Sequence, residues 1–380
     1  MNGLPDRVLG LAIARERMRN YSSPLACFIA AASLLAVPSQ QPQTSANPNV
    51  SLSITDLSPK FLALYEEAVR ENASPDVRWE LWKKLYHFAA VPPTPEGEKM
   101  ARMLFDQAWP RYPSVLEGIR GGAAPITPVA EQQLKAVAEL LRPDKPVHIE
   151  LLIYVGDLED NAFTVAYEGQ ITTAIPIESP PDVRKMLMTH EFTHALQIGM
   201  GSFSGNFKRT VGAIVLTEGL ASRVTQKLFP DRPETDSIEF TRGWLKQAEQ
   251  HKVEILLGIR PFLTSDKPDD IERFTIGPGP TGLEREVYYV GWLVIGDWLA
   301  HGMSFADIAR IPEKEMPQRV TSEIDAVLAA PKPLAQSVQH ESNFWLEEQG
   351  QNSEPAPTYA KIYTLLDRII PKENPVREYR

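Results

Sequence analysis

A histidine–glutamate–histidine group stands near the middle of the chain, in the segment His190-Glu191-Phe192-Thr193-His194. On a helix, two histidines four positions apart project from one face, so both imidazoles can bind a single divalent ion. Glu191 then lies beside the metal, where its carboxylate can accept a proton from water. The competing interpretation is two structural histidines beside a surface glutamate. It is unfavourable because two imidazoles would be buried without a shared partner.

The residues around the two histidines predict the helix that positions them. The apolar residues on the same helical face are Val183, Leu187 and Ile198. Their spacing of three and four positions is the period of an α-helix with one buried face. Asp182 behind Pro181 provides a helix start, and Gly199 provides a stop. We therefore expect a helix over 182–198 with both histidines facing inward.

A catalytic zinc site usually has three protein ligands, so a further ligand is required. Glu218 is the best candidate, because it lies 24 residues after His194 on the buried face of a predicted helix over 209–229. The competing interpretation is an ordinary glutamate on a helix surface. The weaker substitutes are Glu168, Glu178 and Glu239. The only cysteine, Cys27, precedes the predicted mature chain, so the ligands are histidine and carboxylate groups.

The pattern of apolar residues predicts an α+β fold that is mostly helical. Residues 57–142 have helical periodicity, and a change to β-branched residues predicts strands at 147–155, 161–167 and 171–177. Further helices are predicted at 182–198, 209–229, 234–257, 284–301, 304–311, 319–330 and 358–369. We expect a small mixed or antiparallel sheet directly before the helix that carries the two histidines.

The N-terminus predicts an exported protein. An apolar stretch from Pro24 to Val37 has the length of a signal-peptide core, and Met18 is a possible true start. We expect a signal peptide over 1–39, cleavage before Gln40, and a periplasmic or extracellular location; an uncleaved membrane anchor is the alternative. The remaining predicted regions are a linker (40–56), a helical region (57–142), a catalytic domain (143–370) and a tail (371–380).

The overall charge argues against one class of partner. The net charge is -10 and the pI is about 5.4. Binding to nucleic acid usually requires a basic patch or stripe, which this composition does not favour. No partner of that class is expected, and neither is an integral membrane domain in the mature chain.

The segment 190–194 followed by Thr217-Glu218-Gly219-Leu220-Ala221-Ser222 resembles the gluzincin peptidases. It is closest to the bacterial family described as predicted zinc-dependent proteases, over residues 147–299. The resemblance implies one zinc ion held by His190, His194 and Glu218, with Glu191 as the base. It also implies that Asn161, Ala162 and Phe163 lie on an edge strand that binds an extended peptide. Tyr288, in a similar Tyr-x-x-Gly segment, is the first choice for stabilising the oxyanion.

These features predict a zinc metallopeptidase that acts on a peptide or protein through a metal-activated water. Two alternatives remain open. One is a zincin-like protein without proteolytic activity that binds peptides or a partner, although an intact Glu191 argues against it. The other is a zinc hydrolase of a non-peptide amide. For Tyr288, packing as a core aromatic residue is an equally good explanation.

Overall fold

The computed structural model describes residues 49–91, 95–167, 169–205 and 209–329. Several predictions lie outside these residues: the signal peptide over 1–39 with Met18 and Gln40, the helix over 358–369, the tail over 371–380, and the substitute ligand Glu168.

Four strands form one mixed sheet, as the α+β prediction requires. They are β1 (Val50–Asp56), β2 (Val147–Tyr154), β3 (Phe163–Tyr167) and β4 (Gln170–Pro176). The order across the sheet is β1-β2-β4-β3, and β1, β2 and β4 are mutually parallel. Strand β3 pairs antiparallel with β4 and forms one edge. The fold is thus confirmed as mostly helical α+β with a small mixed sheet.

Strand β1 corrects the prediction of a linker over 40–56, because residues 50–56 belong to the sheet. Val50 and Leu52 alternate with Ser51 and Ser53, so one face of β1 is apolar and buried. Its pairing partner is β2, nearly a hundred residues away. From the sequence alone, a short strand with a polar face resembles a linker, because the strand that it pairs with is not known.

The helices follow the predicted order. The helices before the sheet's second strand are α1 (Ser58–Arg70), α2 (Pro75–Leu81), α3 (Pro95–Ala108), α4 (Leu116–Arg120) and α5 (Thr127–Leu141), with a π-turn (Trp82–Tyr86) after α2 and a 3-10 turn (Trp109–Ser114) after α3. After the sheet come α6 (Pro181–Met200), α7 (Val211–Leu228), α8 (Thr235–Ile238), α9 (Trp244–Gln250), α10 (Lys252–Ile259), α11 (Pro268–Thr275), α12 (Glu286–Ala300), α13 (Phe305–Ala309) and α14 (Met316–Ala329), with 3-10 turns at Arg260–Phe262 and Glu313–Glu315.

The predicted single helix over 234–257 is wrong, because three short helices occupy this stretch. Glu239 is extended and ends α8, and Gly243 has a φ of 83° before α9 begins. A left-handed residue interrupts the helical hydrogen-bond ladder, and glycine adopts it at little cost. Within the described residues, no helix has both the length and the apolar character needed to cross a membrane.

One hydrophobic core contains described residues of both predicted regions, 57–142 and 143–370. It includes Phe61 of α1, Leu134 of α5 and Ile149 of β2. Helices α5 and α6 pack on each other, and α6 also packs on β4 and α7. Helix α6 is therefore held between the sheet and α7, with its position fixed on both sides.

Candidate metal centre

Helix α6 carries both histidines and is longer than the predicted span of 182–198. It begins with Pro181 and ends at Met200, and the following Gly201, with a φ of 80°, donates its N–H to the carbonyls of the last turn. Gly199, predicted as the stop, lies inside the helix. A Cβ at Gly199 would lie 2.3 Å from Val147 Cγ1, so this glycine permits close packing on β2.

Helix α7 presents Glu218 to α6. Thr210 caps its N-terminus, where the side chain accepts a hydrogen bond from Ala213 N–H at 3.2 Å. Directly after Glu218, the backbone of Gly219 meets Gly291 of α12. A Cβ added at Gly219 would lie 2.4 Å from the Gly291 carbonyl carbon and oxygen. Two facing glycines thus let α12 approach closely and support α7 from behind.

The three predicted ligands converge on one point. His190 Nε2 lies 3.2 Å from Glu218 Oε2 and 3.2 Å from His194 Nε2, and His194 Nε2 lies 3.5 Å from Glu218 Oε2. A tetrahedral zinc with ligand bonds of about 2.0–2.2 Å separates its ligand atoms by about 3.3–3.6 Å. The observed triangle has the size of one face of that tetrahedron.

The chemistry of this triangle also fits a cation. Two imidazole nitrogens and a carboxylate oxygen are electron-pair donors, and all three side chains are largely buried. Such groups in a low-dielectric setting repel each other unless a proton or metal ion lies between them. Within the described part of the chain, His190, His194 and Glu218 are the group with metal-ligand spacing. The residues present therefore fit a zinc ion, which His190, His194 and Glu218 would hold.

The described substitutes for Glu218 act elsewhere. Glu178 Oε1 accepts hydrogen bonds from Gly156 N–H at 2.9 Å and Leu158 N–H at 3.4 Å. Glu239 Oε1 accepts one from Leu245 N–H at 3.1 Å. Burial raises the pKa of Glu178 to about 8. Each of these two carboxylates therefore stabilises the backbone near it and lies outside the group formed by His190, His194 and Glu218.

Glu191 is buried beside the ligands and its turn of helix is attached to the sheet. Thr164 Oγ1 of β3 donates to the Glu191 carbonyl at 3.1 Å and also lies 3.0 Å from Thr173 Oγ1 of β4. These contacts place the edge strand directly against the turn that carries the predicted base. Thr164 was not singled out from the sequence, because a threonine in a strand carries no local signal of this contact.

The outer side of β3 is partly covered by the loop at Gly205. Ala166 N–H points outward and donates to Gly205 O at 3.5 Å. Because strand residues alternate, the N–H and C=O of Thr164 face the same outer side. An extended chain beside β3 would therefore meet the backbone of Thr164 next to Glu191.

The edge strand β3 begins with Phe163 and is preceded by Asn161 and Ala162. The Asn161 carbonyl accepts a hydrogen bond from Tyr154 Oη, and Ala162 N–H donates to Asp160 O at 3.0 Å. Phe163 is the first residue of β3 and pairs with Ala174. This segment therefore lies at the sheet edge, and part of its backbone already forms hydrogen bonds within the protein.

Tyr288 lies on α12, three residues before the Gly291 contact with α7. Its ring is buried and packs edge-on against Phe240, with ring centroids 4.7 Å apart. The residue is therefore on the helix that supports Glu218. Its contribution to an oxyanion site stays a prediction.

A buried polar group lies one turn below His194. Gln197 is fully buried, and within the described residues no hydrogen-bond partner is found for its amide oxygen and nitrogen or for His194 Nδ1. Position 197 is about two turns after His190, so Gln197 shares the face of both histidines. Helical side chains lean toward the N-terminus, which directs this amide toward the turn of His194.

The chain gives no match when it is compared with protein-family models, with curated proteins and with solved structures. The functional argument therefore depends on the site itself.

Proposed function

We propose that this protein is a zinc-dependent metallopeptidase of the gluzincin type. The observation that carries the proposal is the triangle of His190 Nε2, His194 Nε2 and Glu218 Oε2, with side lengths of 3.2–3.5 Å. The neighbouring Glu191 is the residue that distinguishes a hydrolytic site from a purely structural one. A structural zinc site is closed by four protein ligands, whereas these three leave one position for water.

Each residue has a chemical task in this proposal. A zinc ion supplies a Lewis acid that makes water more acidic and polarises a carbonyl group. Glu191 takes the proton from the attacking water and delivers it to the leaving amine, so no covalent intermediate on the protein is needed. Tyr288 is the proposed donor to the oxyanion.

The proposed substrate is an extended peptide or protein segment. The outward backbone groups of Thr164 can pair with such a segment, and the Thr164 side chain contacts the Glu191 carbonyl at 3.1 Å. Pairing at this residue therefore aligns the substrate backbone with the proposed base. The signal peptide prediction leads us to propose that the reaction takes place outside the cytoplasm.

Replacing Glu191 by Gln tests this function. Wild type, Glu191→Gln and the control Glu117→Gln, at an exposed position on α4, are loaded with zinc and incubated with peptide libraries and peptidoglycan fragments. Wild type and the control cleave peptides. Glu191→Gln retains zinc and loses activity by about a hundredfold or more. Equal activity in wild type and Glu191→Gln contradicts the assigned base.

The same experiment, with peptide binding measured alongside cleavage, separates the two alternatives. Cleavage of peptidoglycan fragments without cleavage of peptides indicates a hydrolase of a non-peptide amide. Tight zinc and peptide binding with no cleavage by wild type indicates a binding protein. The intact Glu191 favours a hydrolase over a binding protein.

A further inference from the structure

A narrow pocket opens beside the start of the edge strand, between the N-terminal helices and the β2–β3 loop (155–162). Its free volume is about 40 Å³. The lining includes Trp82, Phe88, Ala90, Leu104, Tyr154 and Asn161. We propose that this apolar pocket binds an apolar side chain of the peptide substrate, two or three residues from the cleaved bond. This inference rests on the proposed peptidase function and names the substrate class for it.

The pocket lining is mostly apolar, apart from Asp157 and Asn161, and the hydroxyls of its tyrosines are already bonded to the protein. Tyr86 Oη lies 2.8 Å from both Val155 N and Val155 O, and Tyr112 Oη donates to Gly156 O at 2.8 Å. Tyr154 Oη donates to the Asn161 carbonyl. Burial raises the pKa of all three phenols, so each remains a protonated donor. Ring faces are left for a ligand, which favours an apolar group.

The loop that forms one wall is strained and held in place. Leu158 and Asp160 have φ values of 62° and 52°, in the left-handed region that residues with a Cβ rarely adopt. Glu178 accepts hydrogen bonds from two backbone N–H groups of this loop, and Arg111 forms an ion pair with Glu159 at 3.2 Å. Such strain persists where the surroundings impose it, and it concentrates at binding sites.

A row of aromatic rings connects the apolar pocket to the edge strand. The ring centroids of Phe88 and Tyr154 are 5.0 Å apart, and those of Tyr154 and Phe163 are 6.5 Å apart. Asn161 at the pocket precedes Thr164 by three residues, so the two lie at most about 10 Å apart, the length of three residues of extended chain. Since Thr164 contacts the Glu191 carbonyl, a peptide lying along β3 reaches the pocket with its second or third residue from the scissile bond.

The volume of the pocket favours a side chain larger than that of alanine. Its free volume of about 40 Å³ exceeds the roughly 10–15 Å³ that one water molecule needs. It accommodates the branched end of leucine and is left mostly empty by alanine. We therefore expect a preference for leucine over alanine.

A binding assay tests the pocket independently of catalysis. Fluorescein-labelled hexapeptides carry Leu or Ala at one scanned position in an otherwise Gly-Ala-Ser background. Their affinity for zinc-loaded Glu191→Gln protein is measured by fluorescence anisotropy. At one position, the Leu peptide binds about tenfold more tightly than the Ala peptide, because its isobutyl group is buried.

Two substitutions, each made in the Glu191→Gln protein, test whether the tighter binding of the Leu peptide arises in the pocket. Phe88→Ala removes a pocket wall, and Ala90→Leu fills the space without removing any group. Either substitution abolishes the tenfold preference, whereas the control Phe262→Ala, at a half-buried aromatic ring outside the pocket lining, keeps it.

The outcomes separate the subsite from the proposed function. Equal binding of the Leu and Ala peptides at every position overturns the subsite, as does a preference that survives both pocket substitutions. A pocket-dependent preference in a protein whose wild type cleaves no peptide supports the subsite and overturns the peptidase function. Cleavage without a pocket-dependent preference keeps the function and removes the subsite.

Discussion

The contact between Gly219 and Gly291 allows a sharp test of how α12 supports the metal centre, through the substitution Gly219→Ala. The added methyl would lie 2.4 Å from the carbonyl carbon and oxygen of Gly291 and 2.6 Å from its Cα. Ordinary contacts begin near 3.4 Å. Because backbone atoms cannot rotate away, α7 and α12 must separate by about 1 Å.

The expected loss of stability follows from this displacement. Overpacking a helix interface costs about 1–3 kcal/mol. The better helix propensity of alanine returns at most about 1 kcal/mol. We therefore expect Gly219→Ala to lower the free energy of unfolding by about 1–2 kcal/mol. Glu218 immediately precedes the displaced residue, and a zinc site tolerates errors of only about 0.2 Å in ligand distance. Zinc affinity should fall by about tenfold or more.

Urea unfolding of the metal-free protein and zinc competition with a chromophoric chelator measure the two effects. Gly118→Ala on α4 is the matched control, because a Cβ there meets no atom within 4 Å. It should stabilise the protein by up to about 1 kcal/mol and leave zinc affinity unchanged. If Gly219→Ala has the stability and the zinc affinity of wild type, the reasoning about this helix contact is refuted.

Three further predictions concern Glu178, Gln197 and Thr164. Burial raises the pKa of Glu178 from 4.5 to about 8, because the folded protein favours the protonated carboxyl group. Glu178 therefore contributes stability that is fully present below pH 4.5 and is lost as the pH rises through 8. Glu178→Gln should flatten this slope, which is at most about 1.4 kcal/mol per pH unit, in urea unfolding between pH 5 and 8; an unchanged slope refutes the assignment. Gln197→Leu should stabilise the metal-free protein by about 1 kcal/mol or more, since the variant no longer buries an amide for which the described residues offer no hydrogen bond; an unchanged free energy of unfolding contradicts this. Thr164→Val should lower kcat several-fold without changing zinc affinity, because the bond to the Glu191 carbonyl is lost; steady-state kinetics that match wild type would exclude this contact from catalysis.

The local parts of the site were predictable from the sequence. Two histidines four positions apart on a stripe of apolar residues define α6 without any knowledge of the rest of the fold. Glu218 was predictable for the same reason, because it lies on the apolar face of a helix where a carboxylate needs a partner. The structure brings these three residues together as predicted.

Other features depend on contacts between distant segments and were not predictable. Glycine is typical of a helix end, yet Gly199 lies within α6. A glycine is needed there because Val147 leaves no room for a Cβ. Strand β1 has a polar face and pairs with a strand far along the chain. Thr164 becomes relevant only when β3 lies against the Glu191 carbonyl. In each case, the deciding information is the neighbour in space.

X-ray absorption spectroscopy of the zinc-loaded protein tests the central claim most directly, together with zinc stoichiometry for wild type and Glu218→Ala. We predict one zinc per chain, with two imidazole nitrogens at about 2.0–2.1 Å, at least one oxygen, and no sulfur. In Glu218→Ala the affinity should fall sharply and the coordination shell should change. A wild-type protein that binds no zinc, or a Glu218→Ala protein with the wild-type spectrum and affinity, would contradict the account.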